Sequence, residues 1–337
     1  MAKLRSAASS ERTSDAVLAA PSPANHASAS PRTSPAGSRP ASSAGTVRTA
    51  SVSPPNGSIS KPSHAERAHV PHHLLDVVTP AEPYSAGRYA RDARAAIAEI
   101  HARGHPAFLT GGTGLYIRAV LHGLIDGIEA DEELREQLES EQRKAAGAGD
   151  PERLYRRLAD SDPEAAARIH PHDTRRVVRA LEIAAETGRP ASRVRSAHGF
   201  EDSPFRVLHL ALAPEREVLY ARVDRRCQAM IEAGLLQEVR GLVSAGYRPD
   251  LRPMRAIGYR HIVPVMQGHD TLANALEAMR RDTRHFARRQ LTWLRRVPDA
   301  VWVDPGHAAS IADLVGAFLG ASARDTHAAV RSLAPHS

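Results

Sequence analysis

Pro106-Ala-Phe-Leu-Thr-Gly-Gly-Thr-Gly-Leu-Tyr-Ile-Arg-Ala-Val-Leu121 is the stretch that decides the fold. Pro106 to Thr110 is a short apolar run of the kind that a parallel sheet buries on both faces. Gly111-Gly112-Thr113-Gly114 interrupts it, and Leu115 to Leu124 continues as an apolar helix. Strand, glycine turn and helix make an α/β unit. Glycines at a strand's carboxyl end let a ligand approach the backbone, and the helix start that follows offers unpaired N–H groups to an anion. Thr113 adds a hydroxyl. Such a turn is also common as plain structure, so the chemistry has to be sought in its neighbours.

Upstream, Tyr84 to Arg103 reads as a helix, with Ala93, Ile97 and Ile100 at helical spacing and Gly104 as a stop. His69-Val-Pro-His72-His73-Leu-Leu-Asp76 brings histidines close together, but Pro71 and the absence of cysteine partners argue for a structural turn and no metal. Residues 1–56 are rich in Ser, Ala and Pro and show no period, so they read as a disordered low-complexity segment. Downstream, a polar helical region spans about 126–198, with helices near 131–146, 151–159, 163–169 and 173–187. Pro151, Pro163 and Pro171 stand near helix starts, where a missing N–H does no harm. Arg206 to Leu212 alternates as a strand. Helices follow at about 215–233 and 235–245, then a turn at Gly258, a long basic helix over 271–296 and a closing strand at 300–303. The expected architecture is an α/β core (57–125 and 199–320) split by a helical insertion (126–198), with a flexible tail at 321–337.

The chain of 337 residues is 42% hydrophobic, enough for a globular core, and no run of about 18 apolar residues offers a membrane span. Its one cysteine, Cys227, excludes a disulfide framework and any multi-cysteine metal site. The formal charge is +7, almost all from arginine, which suits a polyanionic partner. A GC-rich coding sequence that writes Arg for Lys explains the same balance.

Three arginine groups give that charge a place. On a helix, Arg222 and Arg226 lie four residues apart on one face, a spacing that suits a bidentate grip on diphosphate; pairing with Asp224 is the bland alternative. Between Arg280 and Arg296, seven arginines accompany a single acid, with Phe286, Leu291, Trp293 and Leu294 interleaved. Arginines at that density repel unless an anion neutralises them, and aromatics among them suit unpaired RNA bases. Arg175, Arg176 and Arg179 form a smaller version on or near one helical face.

Taken in order, the blocks resemble the bacterial tRNA dimethylallyltransferases. They are Lys61-Pro62, Val70-Pro-His-His-Leu-Leu-Asp76, Tyr84-Ser-Ala86, Gly111-Gly-Thr-Gly-Leu-Tyr116, and Arg176 with Arg179-Ala-Leu-Glu182. Met230 with Gly234-Leu235 and Glu238-Val239, then Ala256-Ile-Gly-Tyr-Arg260 and Arg288-Arg-Gln-Leu-Thr-Trp293, complete the series. The resemblance implies a P-loop-kinase-like parallel sheet with an inserted helical domain. It also implies transfer of dimethylallyl from dimethylallyl diphosphate to N6 of adenosine 37 in tRNA, with Mg²⁺ as cofactor. The tRNA anticodon stem-loop would meet Thr113, Arg135, Arg175, Arg176, Arg179, Arg288, Arg289, Gln290 and Trp293. The diphosphate would meet Arg226 and Arg222, with Gly111, Gly112 and Gly114 forming the phosphate turn. A monomeric, cytoplasmic protein with no membrane partner is expected. The same fold also serves small-molecule kinases, but a nucleotide-sized substrate needs no extended cationic face.

The sequence departs from the family at its start. Members open with a strand leading into a phosphate-cradling loop that ends in Gly-Lys-Thr, but here none of Lys3, Lys61 and Lys144 follows a glycine. The family's aspartate base, fourteen residues before the Lys-Pro pair, falls on Val47 here. The base, the cradle that helps hold Mg²⁺, and the first strand and helix of the sheet are therefore expected to be missing. Two accounts stand: a family enzyme whose N-terminal reading frame has been altered, or a tRNA-binding pseudoenzyme. An unrelated polyanion-binding protein is the remote third.

Overall fold

The computed structural model describes residues 15–21, 45–51, 61–62, 64–124, 131–198 and 203–320. In chain order the elements are β1 (Asp15–Pro21), β2 (Gly45–Ser51), α1 (His64–His69), β3 (His72–Leu75), α2 (Ala86–Ala102), β4 (Ala107–Gly111) and α3 (Gly114–His122). The polar region holds α4 (Glu132–Gly147), α5 (Arg153–Ser161), α6 (Pro163–Ala166), α7 (Thr174–Thr187) and α8 (Ala191–His198). Then come β5 (Phe205–Leu212), α9 (Arg216–Glu232), α10 (Leu235–Ser244), a 3₁₀ turn at Arg252–Arg255, α11 (Tyr259–Met266), α12 (Leu272–Leu294), β6 (Val301–Val303) and α13 (Ala308–Gly320).

The strands form one six-stranded sheet, ordered β3-β2-β4-β1-β5-β6. β2 runs parallel to β3 and β4, and β5 runs parallel to β6, whereas β1 lies between β4 and β5 and is antiparallel to both. The architecture is thus an α/β fold on a largely parallel sheet, the P-loop-kinase-like arrangement, with helices inserted between α3 and β5. The chain divides into two compact units, residues 1–121 with 204–337, and residues 122–203.

Two strands stand where disorder was expected. Residues 1–56 taken alone cannot bury enough apolar surface to order themselves, but β1 and β2 need no core of their own. They dock their backbone N–H and C=O groups onto strand edges that would otherwise be unpaired. The position between β4 and β5, expected to be empty, is occupied by β1. The remainder of 1–56 and the tail at 321–337 lie outside the described residues.

The first unit has two layers of packing around the sheet. α2 starts where Ser85 accepts a hydrogen bond from the Arg88 N–H at 3.1 Å, and buries Tyr89, Ala93, Ile97 and Ile100 along one stripe. Tyr89 stacks on Tyr116 of α3 at 4.9 Å and meets Tyr84 edge-on at 6.5 Å. Tyr116 donates its hydroxyl to the Tyr84 carbonyl at 3.1 Å, so the aromatic cluster fixes α3, and the turn before it, to α2. Along β5 the pleat sends Leu208 and Leu210 to pack with Val303, Leu314 and Phe318, while the odd-numbered His209 points the other way. On the far side of the same unit, α9, α10, α11 and α12 share a core built on Leu219, Val223, Cys227, Val239, Ile262 and Met279.

In the second unit, Asp131, Asp162 and Asp173 cap α4, α6 and α7 through backbone N–H groups of Leu134, Ala165 and Arg176. Gly188, in the left-handed region at φ 65°, ends α7. Its core comprises Leu138, Leu154, Leu158, Val177, Leu181 and Val194, among others. Asp162, buried, also accepts from the Ser192 N–H at 2.8 Å, which fastens α8 to the start of α6.

His209 sits buried with its ring 6.2 Å from that of Trp293, and its Nε2 makes no hydrogen bond within the described residues. Burial pulls its pKa down from 6.5 to about 4. Between those values the unfolded chain takes up a proton that the fold excludes, so stability falls as pH drops through that window and levels off below it. His209→Gln should therefore remove on the order of 2 kcal/mol of the stability lost between pH 7 and pH 5. Denaturant melts of both proteins at the two pH values check this; equal losses would contradict it.

Candidate functional site

The glycine turn is fixed by the end of the long basic helix. α12 is capped by Thr271, which accepts from the Asn274 N–H at 3.2 Å, and its buried stripe of Ala275, Met279, Ala287 and Leu294 sets which side faces in. Near its end Trp293 donates its indole N–H to the Gly112 carbonyl at 3.2 Å. A Cβ on Gly114 would fall 2.7 Å from the Trp293 ring, and one on Gly112 would fall 1.8 Å from the Gln290 amide nitrogen. Both positions are glycine because the helix side chains come that close. Gly111, Gly112, Gly114, Gln290 and Trp293 therefore form one constellation, with Thr113 exposed on its rim.

On the outer face of α12, Arg288 and Arg289 are exposed, and the Arg289 guanidinium lies 5.6 Å from the centre of the half-exposed Phe286 ring. This pairing of a cation with an aromatic face suits stacked bases and phosphates. Other charged groups on the helix are committed elsewhere. Arg284 forms a two-pronged ion pair with Asp224 of α9, and Asp282 takes Arg260, Arg281 and His261. Burial works against the Asp282 carboxylate, but those three hydrogen bonds hold it far below the usual carboxylate range. Burial likewise lowers His261.

Arg222 and Arg226 share one face of α9, which packs against α12 in the same unit. Asp224, the acid between them, pairs with Arg284 of α12. Both guanidiniums are partly exposed.

Arg135, Arg175, Arg176 and Arg179 belong to the second unit. Arg175 and Arg176 are exposed at the start of α7, where Arg176 pairs with Asp173 at 3.3 Å. Arg135 of α4 and Arg179 of α7 meet at Glu182, a residue that the sequence reading did not single out as a site residue. Arg135 donates from Nε at 2.6 Å and from Nη2 at 3.0 Å, one bond to each carboxylate oxygen, and Arg179 donates from Nη1 at 3.0 Å. The signal was present: on α7 the glutamate lies four residues after Val178, on the buried stripe, where an unpaired charge is costly.

Where a structural turn was expected, His72 and His73 stand in a strand, because β2 offers the segment a backbone partner. His72 and His73 lie in β3 beside β2, and the His72 Nδ1 lies 2.7 Å from the Val70 carbonyl. Lys61 pairs with Asp76, which also faces Arg67 at 3.6 Å, so the Lys-Pro block is pinned to the end of β3. Mg²⁺ takes one or two carboxylates together with substrate phosphates. Among the described residues no group of three or more His, Cys, Asp or Glu side chains converges, and the acid nearest the α9 arginines in sequence is tied to Arg284. No helix of the described residues is long and apolar enough to cross a membrane.

Residues 58–297 match the family model described as IPP transferase. The tRNA dimethylallyltransferase 2 of Geotalea uraniireducens is 49% identical over 244 residues, covering 72% of this chain and 77% of that protein. The tRNA dimethylallyltransferase 1 of Citrifermentans bemidjiense is 46% identical over 260 residues, covering 77% and 82%. Among solved structures, the tRNA isopentenylpyrophosphate transferase of Bacillus halodurans is 37% identical with a TM-score of 0.54, covering 77% of this chain and 81% of that one. A eukaryotic dimethylallyltransferase acting on tRNA is 25% identical with a TM-score of 0.66, covering 82% and 73%.

The two glycines should respond differently to a methyl group. Gly112→Ala displaces the free end of a glutamine, whereas Gly114→Ala must move an indole held by its own hydrogen bond. The Gly114 variant should cost about 1–3 kcal/mol and the Gly112 variant clearly less. Trp293→Leu should recover part of the Gly114 loss in a double-mutant cycle followed by thermal melts.

Proposed function

As the chain belongs to the IPP transferase family, whose matched curated members are tRNA dimethylallyltransferases, we propose that it serves the transfer of a dimethylallyl group from dimethylallyl diphosphate to N6 of adenosine 37 in tRNA. The observation that carries this reading is the seating of the Gly111–Gly114 turn on α12 through Gln290 and Trp293. It ties the anion-accepting helix start to the helix that bears Arg288, Arg289 and Phe286.

In this reading Arg222 and Arg226 face the diphosphate. Negative charge grows on the leaving diphosphate as the C–O bond breaks, and fixed guanidiniums and backbone N–H groups stabilise it without reorganising. Arg288, Arg289, Gln290 and Trp293, with Thr113 at the turn, and Arg135, Arg175, Arg176 and Arg179 of the insertion are the residues this reading gives to the anticodon stem-loop. The adenine has to leave its stack to react. Its N6 amine is a poor nucleophile, since the lone pair is drawn into the ring, so a base must take its proton. The family's aspartate for that step has Val47 at its place, and the Gly-Lys-Thr cradle for the phosphates is not in the sequence. The reading therefore assigns RNA and diphosphate recognition to this chain and a greatly reduced rate to the chemistry. A monomeric cytoplasmic protein is the setting it implies.

Two measurements test it. The purified chain should bind an anticodon stem-loop with an affinity that falls steeply as salt rises, and Arg288→Ala with Arg289→Ala should weaken binding by roughly tenfold or more and flatten that slope. Salt-independent binding, or binding untouched by the double substitution, would count against the RNA interface. Prenylation of the same stem-loop should run about 10⁴-fold or more below the rate of a relative that carries the base and the phosphate loop. Comparable turnover would overturn the assignment of a reduced rate.

A further inference from the structure

Glu182 is 1% exposed, and it lies among Val177, Val178, Ala180, Leu181 and Ile183 on the buried side of α7. A carboxylate there needs both oxygens satisfied, and two guanidiniums do it: Arg135 grips both oxygens and Arg179 one. The two side chains arrive from different helices, α4 and α7, and each remains 36% exposed. Their cationic heads are thus held from beneath and open to solvent above.

The surroundings add charge of the same sign. Arg195 of α8 has its pKa lowered by its own partial burial first and by Arg179, Arg168 and Arg176 after it, with Asp162 acting the other way. Asp162, like Glu182, is buried and fully engaged, accepting from the Ala165 and Ser192 N–H groups. Arg135 and Arg179, bonded to a buried carboxylate, have their positions set before any ligand arrives.

We propose that Glu182 is a positioning residue for RNA: it locks Arg135 and Arg179 into one rigid pair that meets the phosphodiester backbone. This rests on the RNA-binding reading above. The two guanidiniums lose little side-chain entropy on binding because the buried carboxylate has already ordered them.

The sign of one substitution separates positioning from bulk charge. Glu182→Gln makes the protein one unit more positive, so long-range attraction alone would tighten RNA binding. If Glu182 positions the pair, the folded variant binds a fluorescein-labelled anticodon stem-loop about tenfold more weakly, and the slope of log affinity against log salt falls by about one to two phosphate contacts. Glu182→Asp, which keeps the charge, should recover part of the loss. Circular dichroism at the binding temperature establishes that each variant is folded. Should Glu182→Gln fail to fold, Arg135→Lys and Arg179→Lys take its place, because lysine keeps the charge and loses the planar fork. Both should weaken binding with Glu182 intact. Unchanged or tighter binding by folded Glu182→Gln, or by both lysine variants, overturns the inference alone. Failure of the wild-type chain to bind the stem-loop at low salt overturns the RNA reading, and the inference falls with it.

Discussion

The structure depends on one close approach: the Trp293 indole lies so near Gly114 that no side chain fits between, while its N–H reaches the Gly112 carbonyl. Without a Cβ at these positions the end of α12 reaches the carboxyl end of β4, and an N–H to carbonyl bond closes the gap. That contact joins two pieces of chain some 180 residues apart. It sets where the arginines of α12 stand relative to the helix start at Gly114. It also places Trp293 against His209, so the strand core, the turn and the basic helix share one ring.

Much of this was legible in the sequence. The stripes of α2, α4, α7, α9, α10 and α12, each with a cap or glycine at an end, produced helices within a residue or three of their observed limits. The glycine turn and the split of the α/β pattern by a helical region were legible for the same reason: local period and turn chemistry report on local structure. What escaped was long-range or irregular. β1 and β2 carry few large apolar side chains (Val17, Leu18 and Val47) and are strands because neighbouring strands offer them partners. α11 escaped because Pro264 stands inside it, where the usual reading ends a helix. α8 escaped because its eight residues are polar and basic, and its buried Ser192 is fixed by an acid 30 residues away.

Acids decide what the many arginines can do. In a chain of charge +7, each carboxylate that takes a guanidinium removes it from ligand duty or fixes its aim. Asp224 and Asp282 do the former, tying Arg284, Arg260 and Arg281 into ion pairs on the surface of the first unit. Glu182 does the latter, because it lies at the bottom of its pair and leaves the heads outward. Sequence spacing sees the cations readily and the selecting acids poorly, since an acid's depth is set by packing.

The direction of β1 has a topological result. Its first residue, Asp15, stands opposite Gly111, and its last, Pro21, stands opposite Phe205. A strand running with its neighbours would deliver its outgoing connection to the mouth of the sheet beside the glycine turn, where open α/β sheets gather their ligands. This one runs the other way and exits at the opposite rim. The centre of the sheet is filled and its hydrogen-bond ladder is continuous, yet that slot cannot present a strand-to-helix loop to the mouth. A sheet may be complete as a scaffold while its most useful doorway faces backwards.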